Sequence, residues 1–335
     1  MILGVKMPNF NDIIGQDQIR DHFRTAIEQN KVSHAYILCG EKYSGKKYIA
    51  NIFAAALLCE SEGEVPCGKC HSCSQALSAN NPDIIYVTHE KPNVIGVDDI
   101  RTQVNQDINI RPYAGRKKIY IIDEAEKMNQ QAQNAILKTF EEPPEYAVIL
   151  LLVTNANVLL PTILSRAVML NMKPVSDKLI KKYLMEEVKI PDYRADVCVA
   201  FSRGNLGKAR LLSENEDFDN LRKDVVFALK NVKSMDIADL SVCVKKAAEY
   251  KGDIEDYFDI IMVWYRDVCL YKSTGDSDGL IFTEELQYIK KVAFSTGFEN
   301  ISKIFEAVEV ARRRLKANVN FELTIELLFL AMQEN

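Results

Sequence analysis

The chain divides into a first half where short apolar runs alternate with helical spacing, and a second half where only helical spacing remains. Ala35-Tyr36-Ile37-Leu38-Cys39 reads as a buried strand, and Tyr48 to Leu58 is a helix pattern without a breaker. Pro82 to Val87 and Lys117 to Ile122 predict two further strands, and Ala147 to Asn155 is the most apolar strand of the chain, as a central parallel strand should be. Between them, Val97-Asp98-Asp99-Ile100-Arg101 starts a helix with acidic residues in its first turn, and Gln131 to Phe140 forms another, stopped by Pro143-Pro144. This alternation predicts a parallel α/β sheet. Beyond Lys173-Pro174 the strand signals stop. One helix runs from Ser176 through Met185, a second near Asp192 to Phe201 ends at Gly204, and a third begins near Leu206. From Phe218 the pattern is helical throughout, broken mainly at Ser273 to Ser277, with Trp264, Tyr257, Phe258 and Tyr265 as expected helix-core residues.

At 335 residues the chain exceeds one ordinary core and predicts two or three domains. Its residues are 47% apolar and 27% charged, the balance of a globular protein in water, and its formal net charge of −5 supplies no overall basic field for nucleic acid or membrane. Met1 to Met7 lacks the long apolar core of a secretion signal, and no run approaches the roughly 20 apolar residues of a membrane span, so a cytoplasmic location is expected. In a reducing compartment the eight cysteines are better read as core residues or metal ligands than as disulfides.

Candidate chemistry begins at Gly40-Glu41-Lys42-Tyr43-Ser44-Gly45-Lys46-Lys47, which has the frame G-x-x-x-x-G-K-[ST] of a phosphate-binding loop in every position but the last. Glycines such as Gly40 and Gly45 let backbone N–H groups curl round a polyphosphate, and Lys46 would reach its outer phosphates. The closing hydroxyl would hold Mg²⁺, but Lys47 stands there and an ammonium cannot coordinate a cation. Asp123 and Glu124 end an apolar strand, where an Asp would steer Mg²⁺ and a Glu would polarise water. An acidic helix start is the plainer alternative. Thr154, at the end of the most apolar strand, is placed to sense a γ-phosphate or a water.

Cys59, Cys67, Cys70 and Cys73 follow the loop's helix at C-x7-C-x2-C-x2-C. Four thiolates can close a tetrahedral structural zinc site with no open position, the close spacing turning backbone N–H groups toward sulfur. An iron–sulfur cluster is the second candidate, though its run usually closes with a cysteine before proline. His71, between ligands, is expected to face solvent. Cys39, Cys198, Cys243 and Cys269 are isolated and expected in the core. Arg312-Arg313-Arg314 could meet DNA or a partner, but such a short run is usually a solvated helix face.

Together these stretches resemble the clamp loaders of bacterial DNA polymerase III. The resemblance spans nearly the whole chain: Phe10 to Gln16, Gly40 to Lys47, the four cysteines, Ile122 to Pro144, Ile163 to Arg166, Gly204 to Ala209 and Asn318 to Leu330. It implies an AAA+ P-loop domain over 1–170 with a zinc module at 59–73, a three-helix lid over 171–213, and a helical collar over 214–335 through which five subunits form an open ring. Motor subunits of that family end their phosphate loop in Lys-Thr or Lys-Ser and carry a phosphate-sensing arginine in the lid. Here Lys46-Lys47 and Gly207 occupy those positions. The family also favours cysteine after its Ser-Arg pair, where this chain has Ala167. The departures imply a subunit that binds ATP and Mg²⁺ weakly or not at all, and whose Arg166 reaches the neighbour's nucleotide as an arginine finger. A linker arginine paired with a nearby carboxylate is the alternative for Arg166. Implied partners are motor (gamma/tau) and delta subunits, with the sliding clamp and primer-template DNA met through the complex. A working ATPase subunit and a freestanding zinc-containing DNA-binding protein are the competing readings, the acidic balance arguing against the latter.

Overall fold

The computed structural model describes residues 7–61 and 63–335, so Met1 to Lys6, examined above for a leader, lie outside the described residues. The chain separates into two compact units, one of residues 1–179 with 204–208, the other of 180–203 with 209–335. The stretch expected as a lid is thus divided between them.

The first unit is built on five parallel strands in the order β2-β3-β4-β1-β5: β1 Ala35–Cys39, β2 Ile84–Tyr86, β3 Lys118–Ile122, β4 Ala147–Val153 and β5 Val168–Asn171. Alternate strand residues feed opposite layers. Ala35, Ile37, Tyr120, Ile122, Ile149 and Leu151 enter one core, and Tyr36, Leu38, Ile119, Ile121, Leu150 and Leu152 the other. A sheet buried on both faces explains why its central strands read as unbroken apolar runs. Helices α1 (Asp17–Glu28) and α2 (Lys46–Leu57) cover one face, with Phe23 stacked on Phe53 at 3.9 Å between ring centroids. Helix α3 (His71–Leu77) is capped by Cys70 and carries Cys73 in its first turn, and α4 (Val97–Ile100) runs on into a wider turn at 101–106. Helix α5 (Gln130–Glu141) covers the other face through Ala132, Ile136 and Phe140. The short α6 (Pro161–Leu164) leads into β5, a strand the sequence pattern did not disclose.

The second unit contains only helices. Helices α7 (Asp177–Tyr183) and α9 (Leu206–Glu214) each cross a boundary between units, while α8 (Asp192–Ser202) lies wholly in the second. Then come α10 (Glu216–Asn231), α11 (Ile237–Glu249), α12 (Ile254–Thr274), α13 (Leu286–Ser295), α14 (Phe298–Lys316) and α15 (Phe321–Glu334). Helix α12 packs against α10, α13 and α14 and buries Tyr257, Phe258, Trp264 and Tyr265, as the pattern required. It stops at Gly275, whose φ of 72° is a left-handed cap that glycine adopts without strain. Arg312 is no free surface charge. It pairs with Glu255 at 2.6 Å and Asp259 at 2.5 Å and lies over the Phe258 ring, while Arg313 and Arg314 are exposed. Cys198 is buried as expected, but Cys39, Cys243 and Cys269 are only half-buried. Among the described residues no helix is long and apolar enough to cross a membrane.

Candidate nucleotide site and metal centre

Strands β3, β4 and β1 are adjacent, so the segments leaving their C-terminal ends converge at one edge of the sheet. Gly40 to Gly45 leaves β1 and returns through α2. Gly45, at φ 94°, turns the chain into the helix; a Cβ there would have open space, so the demand for glycine is conformational. Gly40 is required for another reason, because a Cβ would come within 2.9 Å of Met172 and the Ser44 hydroxyl.

Lys46, in the first turn of α2, is buried and donates to the loop's own carbonyls, Gly40 O and Glu41 O, both at 2.7 Å. Burial holds its pKa below the ordinary lysine value, opposed by the nearby carboxylates of Glu126 and Asp123. Lys47 pairs with Asp123 at 3.4 Å. The lysine in the magnesium-ligand position therefore sets an ammonium against the carboxylate that would steer Mg²⁺. Glu124, at φ 50°, is also engaged: its carboxylate accepts from Lys127 at 2.5 Å, which holds its pKa below the usual range. Thr154 donates its hydroxyl to Glu126 at 2.6 Å and its N–H to the same oxygen at 3.3 Å. The other oxygen of Glu126 is buried without a hydrogen-bond partner among the described residues.

The segment Gly204 to Lys208 closes over the loop from outside. Asn205 donates to Lys42 O at 2.8 Å, and Gly204 O accepts from Val175 N at 2.8 Å. Gly207 lies so close that a Cβ would stand 2.0 Å from the carbonyl oxygen of Tyr43. Tyr43 itself holds φ 66°, a conformation rare outside glycine, and so directs that carbonyl at Gly207. Side chains at position 207 are excluded by backbone, whatever their chemistry.

Arg166 follows α6, away from these groups in sequence. It pairs with Glu141 at 3.2 Å and donates to Thr162 O at 3.0 Å and the Ser165 hydroxyl at 3.3 Å, with about a third of its side chain exposed. The carboxylate partner foreseen in the alternative reading is thus present, at the end of α5.

The four cysteine sulfurs all lie within 4.8 Å of one another. Cys67 sulfur accepts from Lys69 N at 3.5 Å and Cys70 N at 3.4 Å, Cys70 sulfur from Cys73 N at 3.4 Å, and Cys59 sulfur from Cys67 N at 3.4 Å. Those N–H groups lower the Cys67 thiol to about 6, while burial raises Cys73. Four convergent sulfurs with N–H groups turned toward them fit a tetrahedral thiolate-bound metal. His71 is exposed and outside the cluster.

Two family descriptions cover most of the chain. "DNA polymerase III, delta subunit" matches residues 15–176, and its C-terminal counterpart matches 216–334. The chain belongs to the DNA polymerase III clamp-loader family. It is 29% identical to DNA polymerase III subunit delta' of Bacillus subtilis over 95% of this chain and 96% of that protein. It is 27% identical to the tau subunit of the same organism over 81% of this chain, and spans about half of tau, 52%. A gamma subunit-related protein from Thermotoga maritima is similar at TM-score 0.49 and 21% identity, covering 95% of this chain and 99% of that one.

Within this clamp-loader chain, sequence reasoning placed Gly40, Gly45, Lys46, Asp123, Glu124 and Thr154 at one sheet edge, and the structure brings them there. It missed Glu126, two positions beyond Glu124, which holds Thr154. It also missed Asn205, and treated Gly207 only as a missing arginine. The glycine-asparagine pair before α9 was the available signal for a close backbone approach.

Proposed function

We propose that this chain is the delta-prime, stator-type subunit of a DNA polymerase III clamp loader, acting in the cytoplasm within a five-subunit ring with motor and delta subunits. One observation carries the proposal: the chain fills its own nucleotide site. Lys47 faces Asp123, Lys46 is turned onto the loop carbonyls, and Gly207 leaves no room for a lid arginine. Residues 1–170 then serve as an AAA+ scaffold, 171–213 as the lid and 214–335 as the collar. The contribution to chemistry is Arg166, delivered to the γ-phosphate held by the adjacent motor subunit, where a guanidinium offsets the charge that spreads in the transition state. Loading of the sliding clamp onto primed DNA is the work of the complex.

Calorimetry tests the self-filled site directly. Titrating ATP with Mg²⁺ into the wild-type chain is expected to show binding weaker than about 1 mM, or none. Lys47→Thr frees Asp123 but leaves Gly207 against Tyr43, so it gains little. Micromolar Mg²⁺-dependent binding by the wild type would instead identify a working ATPase subunit.

The cysteine cluster we assign to zinc. It would lock the connection between α2 and α3 and supply no catalysis, since four thiolates fill the tetrahedron. Metal analysis is expected to find about one zinc per chain, and Cys73→Ser should reduce it toward zero. Visible absorption with stoichiometric iron would select the iron–sulfur alternative.

A further inference from the structure

The loop at residues 110–117, leading into β3, is held by two buried charges of opposite sign. Asp83, 1% exposed, accepts three consecutive backbone N–H groups, from Tyr113 at 2.6 Å, Ala114 at 2.9 Å and Gly115 at 2.7 Å. Lys118, 4% exposed, donates to Ile110 O at 3.2 Å and Asp107 O at 3.0 Å and pairs with the Asp107 carboxylate at 2.7 Å. Gly115 is pressed inward, since a Cβ would meet Leu58 at 2.6 Å. Burying two ions requires partners for both, and here much of that partnership goes to fixing one surface loop.

What the fixed backbone presents is exposed. Tyr113 is 88% and Ile110 62% exposed, and Arg111 and Arg116 point to solvent with no ionic or hydrogen-bond partner among the described residues. Residues 108–118 contain four basic and no acidic side chains, in a chain of net charge −5. Of the adjoining carboxylates, Asp83 is engaged by the N–H groups, Asp107 by Lys118 and the Tyr120 hydroxyl at 2.8 Å, and Glu60 accepts from Ser72 N at 3.3 Å, while the exposed Glu145 adjoins Lys117. Lys117 is turned aside onto Glu145 O.

The geometry points to a binding surface for single-stranded nucleic acid on this loop. Arg111 and Arg116 take backbone phosphates, and the open face of Tyr113 stacks a base. Charge complementarity calls for an anionic partner, and the open Tyr113 ring between two unpaired guanidinium groups calls for a planar one, so a strand offering phosphates and exposed base faces suits the loop. The surface does not depend on the ring role proposed above.

The test is polarisation of a labelled oligothymidine with the purified full chain at low salt. Binding that weakens with salt is expected. Arg111→Ala with Arg116→Ala should lower affinity at least tenfold and flatten the log–log salt slope by about 1.4, roughly 0.7 for each lost phosphate contact. Tyr113→Ala should cost about tenfold with the slope unchanged. Arg313→Ala with Arg314→Ala, an exposed pair on α14, should change nothing. Absence of binding by the wild type, equal loss in the α14 variant, or competition by polyglutamate as effective as by unlabelled strand would each overturn the assignment.

Discussion

Replacing Arg166 with alanine is expected to leave the chain folded and able to join the ring, while hydrolysis at the one motor site beside it falls by a factor on the order of 10³ to 10⁵. The two halves of that expectation have separate origins. Within the chain, Arg166 contributes a half-exposed pair with Glu141, and such surface pairs are worth about 1 kcal/mol or less. Its larger value would arise only against a γ-phosphate supplied from outside. The measurement is DNA-stimulated ATPase and clamp loading by a reconstituted complex, with incorporation of the variant checked by gel filtration. Glu141→Gln is the informative companion. It releases Arg166 without removing it, so rates should hold or rise. Wild-type loading by a complex with stoichiometric Arg166→Ala would reject the finger.

Gly207→Ala is expected to lower the stability of the first unit by about 2 kcal/mol, although alanine is the better helix former by up to about 1 kcal/mol. The added methyl would sit 2.0 Å from Tyr43 O. Neither side can yield easily, because Tyr43 is fixed by its own left-handed backbone and Asn205 ties the same segment to Lys42 O. Gly252→Ala is the control: a Cβ there meets nothing within 4 Å, so that change should be neutral or mildly stabilising. Urea unfolding of the two variants beside wild type decides the matter. Equal midpoints for Gly207→Ala and wild type would mean that the loop and the Gly204 to Lys208 segment separate freely.

Much of this was legible in the residues because it was local. Ala35 to Leu58 declares strand, loop and helix in consecutive positions, and the cysteine spacing declares a metal cluster within 15 residues. Asp123 could be placed because an apolar strand of known direction delivers it. The failures were non-local or weak in pattern. β5 has four residues, three half-buried and one, Asn171, exposed, so Val168 to Asn171 carried no run long enough to stand out. That Lys47 would meet Asp123, Thr154 meet Glu126, and Arg166 meet Glu141 depends on strand order, which no periodicity encodes. The division of the lid segment was equally hidden, since nothing about Gly204-Asn205-Leu206-Gly207 says which unit it packs against.

The pairing of Lys47 with Asp123 has a consequence for how this subunit answers its surroundings. A soluble cation occupies a site according to its concentration, but a tethered ammonium is always at hand, at an effective concentration set by the chain. A ligand shifts a conformational balance only through unequal affinity for the two states. On the stator reading proposed above, with Lys47 serving the cation position from within, the free Mg²⁺ level and the ratio of ATP to ADP are expected to have little purchase on this domain. Its shape should stay the same in starved and growing cells, and through every turnover of its neighbours.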